Sequence, residues 1–354
     1  MTGLRSTTRK VRIVCISDTH NAAPGGPFKL PKGDVLIHAG DMTNQGSFAE
    51  LERTVRWIEE ADFQAKIVVA GNHDITLDTN FYARHGESFH NQRPQDPVEC
   101  QGLLENSPSI LWLKHEAATV SLAFPDGLGV RFKIFGSPFS PVDGMWAFGY
   151  ESDEASKTWD QIPLDSDIVI THTPPMHHLD EKKDIPAAGC EALRTALWRV
   201  RPRLAVCGHV HSGRGAKRIC WDLGDSNIKY KEASAECWTD PGFNNKKMSL
   251  VDLSAKGGSP VQNDGSKGDG NSCGKGSGLS NFGPMVPLPA DTRGQGGVPP
   301  SALCDLEALS GRMGRQETCI VNAAITATLW ANRSGGKKFN KPIVVDIDLP
   351  TWEE

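Results

Sequence analysis

A mixed α/β fold is predicted for this 354-residue chain from three observations. Five continuous apolar runs of strand length each end on a glycine, serine or threonine followed by polar residues. Apolar stripes at helical spacing lie between them, and isolated strand-like runs follow later. The first three runs cover residues 11–17, 35–40 and 66–71, and the other two cover 168–171 and 204–208. Short Val/Ile/Leu runs of this kind read as strands buried on both faces. Ser47 and Glu50 form a capping-box signature, so a helix is predicted from there to Glu60, with Phe48, Leu51, Val55 and Ile58 on its core face. After Gly189 a second stripe, Leu193, Ala196, Leu197 and Val200, predicts another helix. Strand-like segments at Ile110–Leu113, Phe132–Phe135, Arg218–Trp221, Cys319–Ile325 and Pro342–Asp348 make the arrangement mixed rather than purely parallel.

The chain reads as a polar tail over residues 1–10 followed by one domain over 11–353, since its motifs span too much sequence to divide. Residues 254–302 break the pattern. Twelve glycines lie between Gly257 and Gly297, a composition that cannot bury enough apolar surface to offset its ordering entropy. A disordered insertion that interrupts the domain is expected there, with a spacer role favoured over a partner-binding arm.

Each of the five apolar runs delivers metal-capable side chains at its carboxyl end, where ligands bind in open α/β sheets. Asp18 and His20 follow the first run, Asp41 the second, and Asn72 and His73 the third; His172 follows the fourth, and His209 and His211 the fifth. Any one of these motifs occurs by chance, because a lone His after a strand is commonly a satisfied polar residue. Five in order point to one site. Carboxylate, imidazole and one amide oxygen without cysteine suit hard or borderline divalent ions. The seven groups Asp18, His20, Asp41, Asn72, His172, His209 and His211 are too many for one ion and fit two, about 3.5–4 Å apart. Manganese is the first choice, with iron, zinc or magnesium as alternatives. Such a pair acidifies a bridging water and offsets the charge of an in-line displacement at phosphorus, so hydrolysis of a phosphoester is the expected reaction. His73, beside a ligand but with its ring directed elsewhere, is the candidate general acid, and Asp41 the other catalytic candidate.

The series Asp18-Thr19-His20, Gly40-Asp41, Gly71-Asn72-His73-Asp74, Thr171-His172 and Gly208-His209-Val210-His211 resembles the calcineurin-like metallophosphoesterases. A small branch of metallophosphoesterase-domain proteins first described from fetal brain is the nearer match. Gly136-Ser137-Pro138, Thr173-Pro174-Pro175, Gly189-Cys190, Arg201-Pro202, Val321-Asn322-Ala323 and the run from Ile343 to Pro350 carry that likeness. It covers about residues 10–253 and 316–350. The resemblance implies a four-layer α-β-β-α sandwich with two mixed sheets. It also implies that Asp18, His20 and His211 hold one ion, Asn72, His172 and His209 the other, and that Asp41 bridges. Some members of the branch carry glycine where this chain has His209, so an active enzyme is expected. Protein phosphatases of the wider superfamily place an arginine in an Asp-Arg-Gly segment soon after their Gly-Asp. Here Met42-Thr43-Asn44-Gln45-Gly46 follows, which moves phosphodiesters ahead of phosphoproteins. A non-catalytic scaffold and a nuclease are the competing readings.

A formal charge of −5 argues against broad nucleic-acid affinity and leaves small phosphoesters, nucleotides among them, as the expected partners. Arg199, Arg201 and Arg203 are read as solvated charges at a helix C-terminus. No apolar stretch approaches the roughly 18–20 residues that span a bilayer, and the nine cysteines read as scattered thiols, so a cytoplasmic location is expected. Asn72, His73 and His178 are candidate substrate contacts, although His177 and His178 suit the surface at least as well. Phe139, Trp146, Phe148 and Tyr150 suit core packing better than stacking on a nucleobase.

Overall fold

The structure is a computed structural model that describes residues 8–182, 185, 187–222, 232–263, 315–327 and 338–353. Its elements run β1 (Thr8–Ile16), β2 (Val35–Ala39), α1 (Phe48–Glu60), β3 (Ala65–Val69), α2 (Thr79–His90), α3 (Pro97–Glu105), β4 (Ile110–Trp112), β5 (Glu116–Leu122) and β6 (Leu128–Ser137). There follow β7 (Ser140–Pro141), β8 (Gly149–Tyr150), α4 (Ala155–Trp159), β9 (Ile168–Thr171), α5 (Glu191–Val200), β10 (Leu204–Cys207), β11 (Gly215–Trp221), β12 (Glu232–Cys237), β13 (Ser249–Leu253), β14 (Glu317–Asn322) and β15 (Ile343–Glu353).

Two mixed sheets face each other. One has the order β13-β15-β1-β2-β3-β4, the other β5-β6-β9-β10-β14-β11-β12. They are continuous through β15, whose residues Ile343 to Pro350 pair antiparallel with β1 and whose last three pair with β6. The five predicted runs form the parallel centres: β1, β2 and β3 in one sheet, β9 and β10 in the other.

Alternation along these strands builds the layers. Val11, Ile13, Cys15, Val35, Ile37, Ile67 and Val69 point into a core shared with Ile168, Ile170, Leu204 and Val206 of the opposite sheet. The intervening Val14, Ile16, Leu36 and Val68 pack outward against Leu51, Val55 and Ile58 of α1 and Leu104 of α3. On the far side Val169, Ala205 and Cys207 pack against Leu193, Ala196, Leu197 and Val200 of α5. Period-2 side chains filling both faces of both sheets give the four layers. The capping box forms, Ser47 capping α1 with Glu50 reaching back, but Phe48 is exposed at the helix start and not on the core stripe.

Several expectations shift. Residues 8–10 belong to β1, paired with Pro350, Leu349 and Asp348, and not to a tail; residues 1–7 lie outside the described ones. At the start of the expected insertion, Val261 and Asn263 are buried, and Asn263 Nδ2 donates to Glu317 O at 2.6 Å and to Arg201 O at 3.3 Å. Residues 264–302 lie outside the described residues. Arg199, Arg201 and Arg203 are buried, not solvated. Arg199 donates to Ile162 O at 2.7 Å and Arg201 to Arg315 O at 2.6 Å, because carbonyls left over at chain turns need donors that backbone cannot supply. Six cysteines among the described residues are free thiols, but Cys220 is disulfide-bonded, so the reading of scattered thiols fails there. No helix among the described residues is long and apolar enough to cross a membrane.

Candidate metal centre

The loops that leave β1 and β2 are zipped together. Asp18 N–H donates to Gly40 O at 2.9 Å and His20 N–H to Asp41 O at 3.1 Å. Asp18, His20, Asp41 and His209 all have left-handed backbones, φ 52°, 44°, 53° and 65°. For a residue with a side chain this costs about 1–2 kcal/mol each, and such strain collects where geometry is dictated by a site. Gly40, at φ 95°, lets the chain pass close to His172, whose Nδ1 would lie 2.4 Å from any Cβ there.

Seven predicted ligands converge. Asp18 accepts the His209 N–H at 3.1 and 3.0 Å on its two oxygens, and His211 Nε2 lies 3.3 Å from its Oδ1. His20 Nε2 faces His211 Nε2 at 3.2 Å. Asn72 Oδ1 is 2.9 Å from both His172 Nε2 and His209 Nδ1. Between the groups stands Asp41, with Oδ1 3.3 Å from His172 Nε2 and Oδ2 3.8 Å from His20 Nε2.

The donor chemistry fits a divalent cation. His172 Nδ1 donates to Ala39 O at 2.9 Å and His20 Nδ1 to Thr43 O at 3.1 Å, which in neutral rings leaves each Nε2 as a lone pair. Those lone pairs point at carboxylate and amide oxygens or at another imidazole nitrogen, an arrangement that requires a proton or a metal ion between acceptors. Protonation states carry the same signature. Burial opposes a proton on His172, but the charge and hydrogen bond of Asp41, with the charge of Asp18, lift it to about 9. Burial would raise Asp18, yet the His211 hydrogen bond and charge hold it down to about 2; Asp41, buried likewise, is held well below the carboxylate range by His172. Burial, reinforced by the charge of His172, pushes His209 down to about 3.

His73 is held by both its backbone and its ring. Its N–H donates to Asp41 Oδ1 at 2.9 Å and its Nδ1 to Asn44 O at 2.8 Å, so Nε2 is the ring atom left free. A ring nitrogen of His73 lies within 4.8 Å of ligand atoms of His20 and Asp41. Trp146 stacks on the ring, centroids 3.9 Å apart, and His20 meets its edge at 4.8 Å. Asp41, Asn72, His73, His209 and His211 border a cavity of about 1600 Å³.

Other expectations divide. His178 is buried, not on the surface, and does not border that cavity; its Nε2 is 2.8 Å from Glu232 Oε1, which also accepts from Arg194 at 2.7 Å. His177 is half-buried. Of the four aromatics only Trp146 reaches the cavity. Tyr150 is buried and its hydroxyl accepts from Trp159 Nε1 at 3.0 Å, while Phe139 and Phe148 pack edge to face at 6.3 Å.

Two supporting residues gave no separate signal in the sequence. Buried Asp74 accepts four bonds, from Gly71 N at 2.9 Å, Met42 N at 3.2 Å, Thr43 N at 2.9 Å and Thr43 Oγ1 at 2.7 Å, clamping the loops that carry Asp41 and Asn72. Asn322, at the end of β14, donates to Val210 O at 2.9 Å and Leu179 O at 3.0 Å beneath the His209–His211 turn. Both stand inside motifs quoted above, but a clamp is recognisable only from the loops it joins.

A family model described as calcineurin-like phosphoesterase matches residues 11–213. Over 221 residues the chain is 42% identical to a probable rhamnogalacturonate lyase C of Emericella nidulans, covering 62% of this chain and 19% of that protein. It is 36% identical over 233 residues to metallophosphoesterase domain-containing protein 1 of Homo sapiens, covering 63% and 65% respectively. Over 230 residues it is 32% identical to a UPF0046 protein of Caenorhabditis elegans, covering 65% of this chain and 71% of that one. The chain thus spans about a fifth of the first of these relatives and just under two thirds of the second. Among solved structures, a purple acid phosphatase from yellow lupin seeds aligns with a TM-score of 0.33 at 14% identity, over 62% of this chain and 40% of that one. With the candidate ligands from Asp18 to His211 all inside the matched segment, the chain belongs to the calcineurin-like phosphoesterase family.

Proposed function

We propose that the protein is a phosphodiesterase dependent on two divalent metal ions, manganese the first candidate, that hydrolyses small phosphodiesters, cyclic nucleotides among them. The observation that carries this reading is the position of Asp41. One of its oxygens faces His172, which converges with His209 on Asn72, and the other faces His20, beside His211 and Asp18. A carboxylate between two such sets is the arrangement expected of a bridging ligand. On this reading Asp18, His20 and His211 hold one ion, and Asn72, His172 and His209 the other. Bound there, the ions supply Lewis acidity, making water acidic and offsetting phosphate charge.

The chain's own residues do the rest. Asn72 and His73 face the bound phosphate from the cavity floor. His73, fixed by Asn44 and Trp146, protonates the leaving oxygen from Nε2, a role typically worth roughly 10²–10⁴ in rate. After Asp41 the chain supplies Met42, which is buried, and Thr43, which is bonded to Asp74. That segment offers no phosphate-gripping arginine, which favours a diester over a phosphoprotein. A ligand-deficient scaffold would lack one or more of these groups, whereas all seven are here.

The test is hydrolysis of bis(p-nitrophenyl) phosphate by manganese-loaded protein, followed by 2′,3′- and 3′,5′-cyclic nucleotides with product analysis. Asp41→Asn should abolish turnover and lower bound metal. His73→Ala should keep both metals and lose about 10²–10⁴ in kcat. Unchanged turnover by pure Asp41→Asn protein would refute the proposal.

A further inference from the structure

The cavity above the ligand set is larger than a small diester needs. Its volume of about 1600 Å³ exceeds the roughly 300–1,000 Å³ of ordinary small-molecule sites. A phosphate fills only the floor. The walls above it are largely apolar, with Trp146, Ile185, Val210, Trp238 and Phe243 among them.

Exposed hydrophobic side chains add to this wall. Of the seven large ones among the described residues, Ile185 and Phe243 line the cavity, while Val142, Met145 and Met248 lie outside its lining on the loops that carry Asp143, Trp146 and Phe243. Phe243 is 70% exposed and Ile185 48%. The other two, Phe48 and Val98, sit on α1 and α3. Exposed apolar side chains gathered at one place mark a binding surface, whereas scattered ones need no explanation. Ion pairs and hydrogen bonds tie described residues of these loops. Lys182 pairs with Asp143 at 3.1 Å. Lys341 Nζ donates to Gly242 O at 2.8 Å and Lys247 O at 3.0 Å, and Arg214 pairs with Asp240 at 3.0 Å, on the loop of Phe243. Because the apolar wall is continuous with the phosphate-facing floor, what covers it enters together with the scissile phosphate.

We infer that the preferred substrates are amphiphilic phosphodiesters, in which one ester group is a linear alkyl or acyl-bearing chain that lies along this wall. This rests on the phosphodiesterase reading above and names its substrate class. Hydrolysis joins a water oxygen to phosphorus and breaks the bond from phosphorus to the leaving oxygen. The leaving alcohol takes one of the water's protons and solvent takes the other.

The test uses methyl, butyl and octyl p-nitrophenyl phosphates with manganese-loaded protein, below the critical micelle concentration of the octyl ester. The leaving group is constant, so only the chain varies. Burial of each methylene should raise kcat/KM about two- to fourfold until the wall is covered, roughly 10²–10⁴-fold from methyl to octyl when the whole chain is buried. The double variant Phe243→Ser, Ile185→Ser should cut the octyl-to-methyl ratio at least about tenfold; a ratio within one preparation cancels any loss of folded protein. A flat series overturns the inference and leaves the phosphodiesterase reading intact. A gain that appears only above the micellar threshold, or only with phosphatidylcholine vesicles, also overturns it, because the rim then meets a lipid surface and not a chain in the cavity. If no member of the series turns over, the phosphodiesterase reading falls and takes this inference with it.

Discussion

Replacing Gly208 by alanine would set a methyl carbon 1.8 Å from Ser17 Oγ and 2.3 Å from Asp18 Oδ2. Ordinary contact lies near 3.5 Å, so the loops after β1 and β10 must separate by roughly 1–1.7 Å. Neither side yields easily. Ser17 Oγ is bonded to Ala39 O at 2.9 Å, and both Asp18 oxygens accept the His209 N–H. Overpacking of this kind costs about 1–3 kcal/mol, which a urea titration of metal-free protein reads as a lower midpoint. The ligand set suffers more, because sites of this type tolerate roughly 0.5 Å of misplacement. Manganese affinity by titration calorimetry should fall about 10–100-fold or beyond, as when supporting groups of a metal site are lost. Gly102→Ala in α3 is the control: its new methyl meets only Asn106 Nδ2, at 3.4 Å, and should stabilise by about 0.5–1 kcal/mol. A Gly208→Ala protein with native manganese affinity and an unshifted midpoint would refute the account of the close approach.

Three further outcomes are expected. Asp74→Ala strands three buried amides and the Thr43 hydroxyl, at a cost of about 3 kcal/mol or more; a denaturant shift below about 1 kcal/mol would show that the clamp is not needed. Arg201→Ala removes donors to Trp198 O and Arg315 O and should cost about 2–4 kcal/mol, where a solvated arginine would cost under roughly 0.5. The proton on His172, raised from 6.5 to about 9, stabilises the metal-free fold fully below pH 6.5, and that contribution is lost as pH rises through about 9. Thermal midpoints of metal-free protein should therefore fall across this window, and those of manganese-loaded protein should fall less; equal slopes would reject the assignment.

What could be read directly was local. The runs that became β1, β2, β3, β9 and β10 are buried on both faces, so each is a continuous apolar signal that needs no partner to be recognised. Edge elements gave no such signal. The stretch that became β5 has four residues at its start that are not buried, and α2 buries only Phe81 and Gly86, so neither carries a strong period. The arginines after α5 misled for a related reason: charge predicts solvation, and only the positions of distant carbonyls convert it into burial. His178 was misplaced because its partner Glu232 lies 54 residues away, on β12.

The identities of Asp18, His20, Asp41, Asn72, His172, His209 and His211 and their places at strand ends follow from the order of residues alone, because burying a strand and turning it at its carboxyl end are short-range events. Their convergence is not a short-range event. It depends on β15 joining two sheets, on left-handed turns at Asp18, His20, Asp41 and His209, and on Asp74 and Asn322 tying together loops far apart in the chain. The apolar wall had no trace in the sequence for the same reason. Ile185, Trp238 and Phe243 are unremarkable singly and become a surface only when separate loops are folded around one cavity.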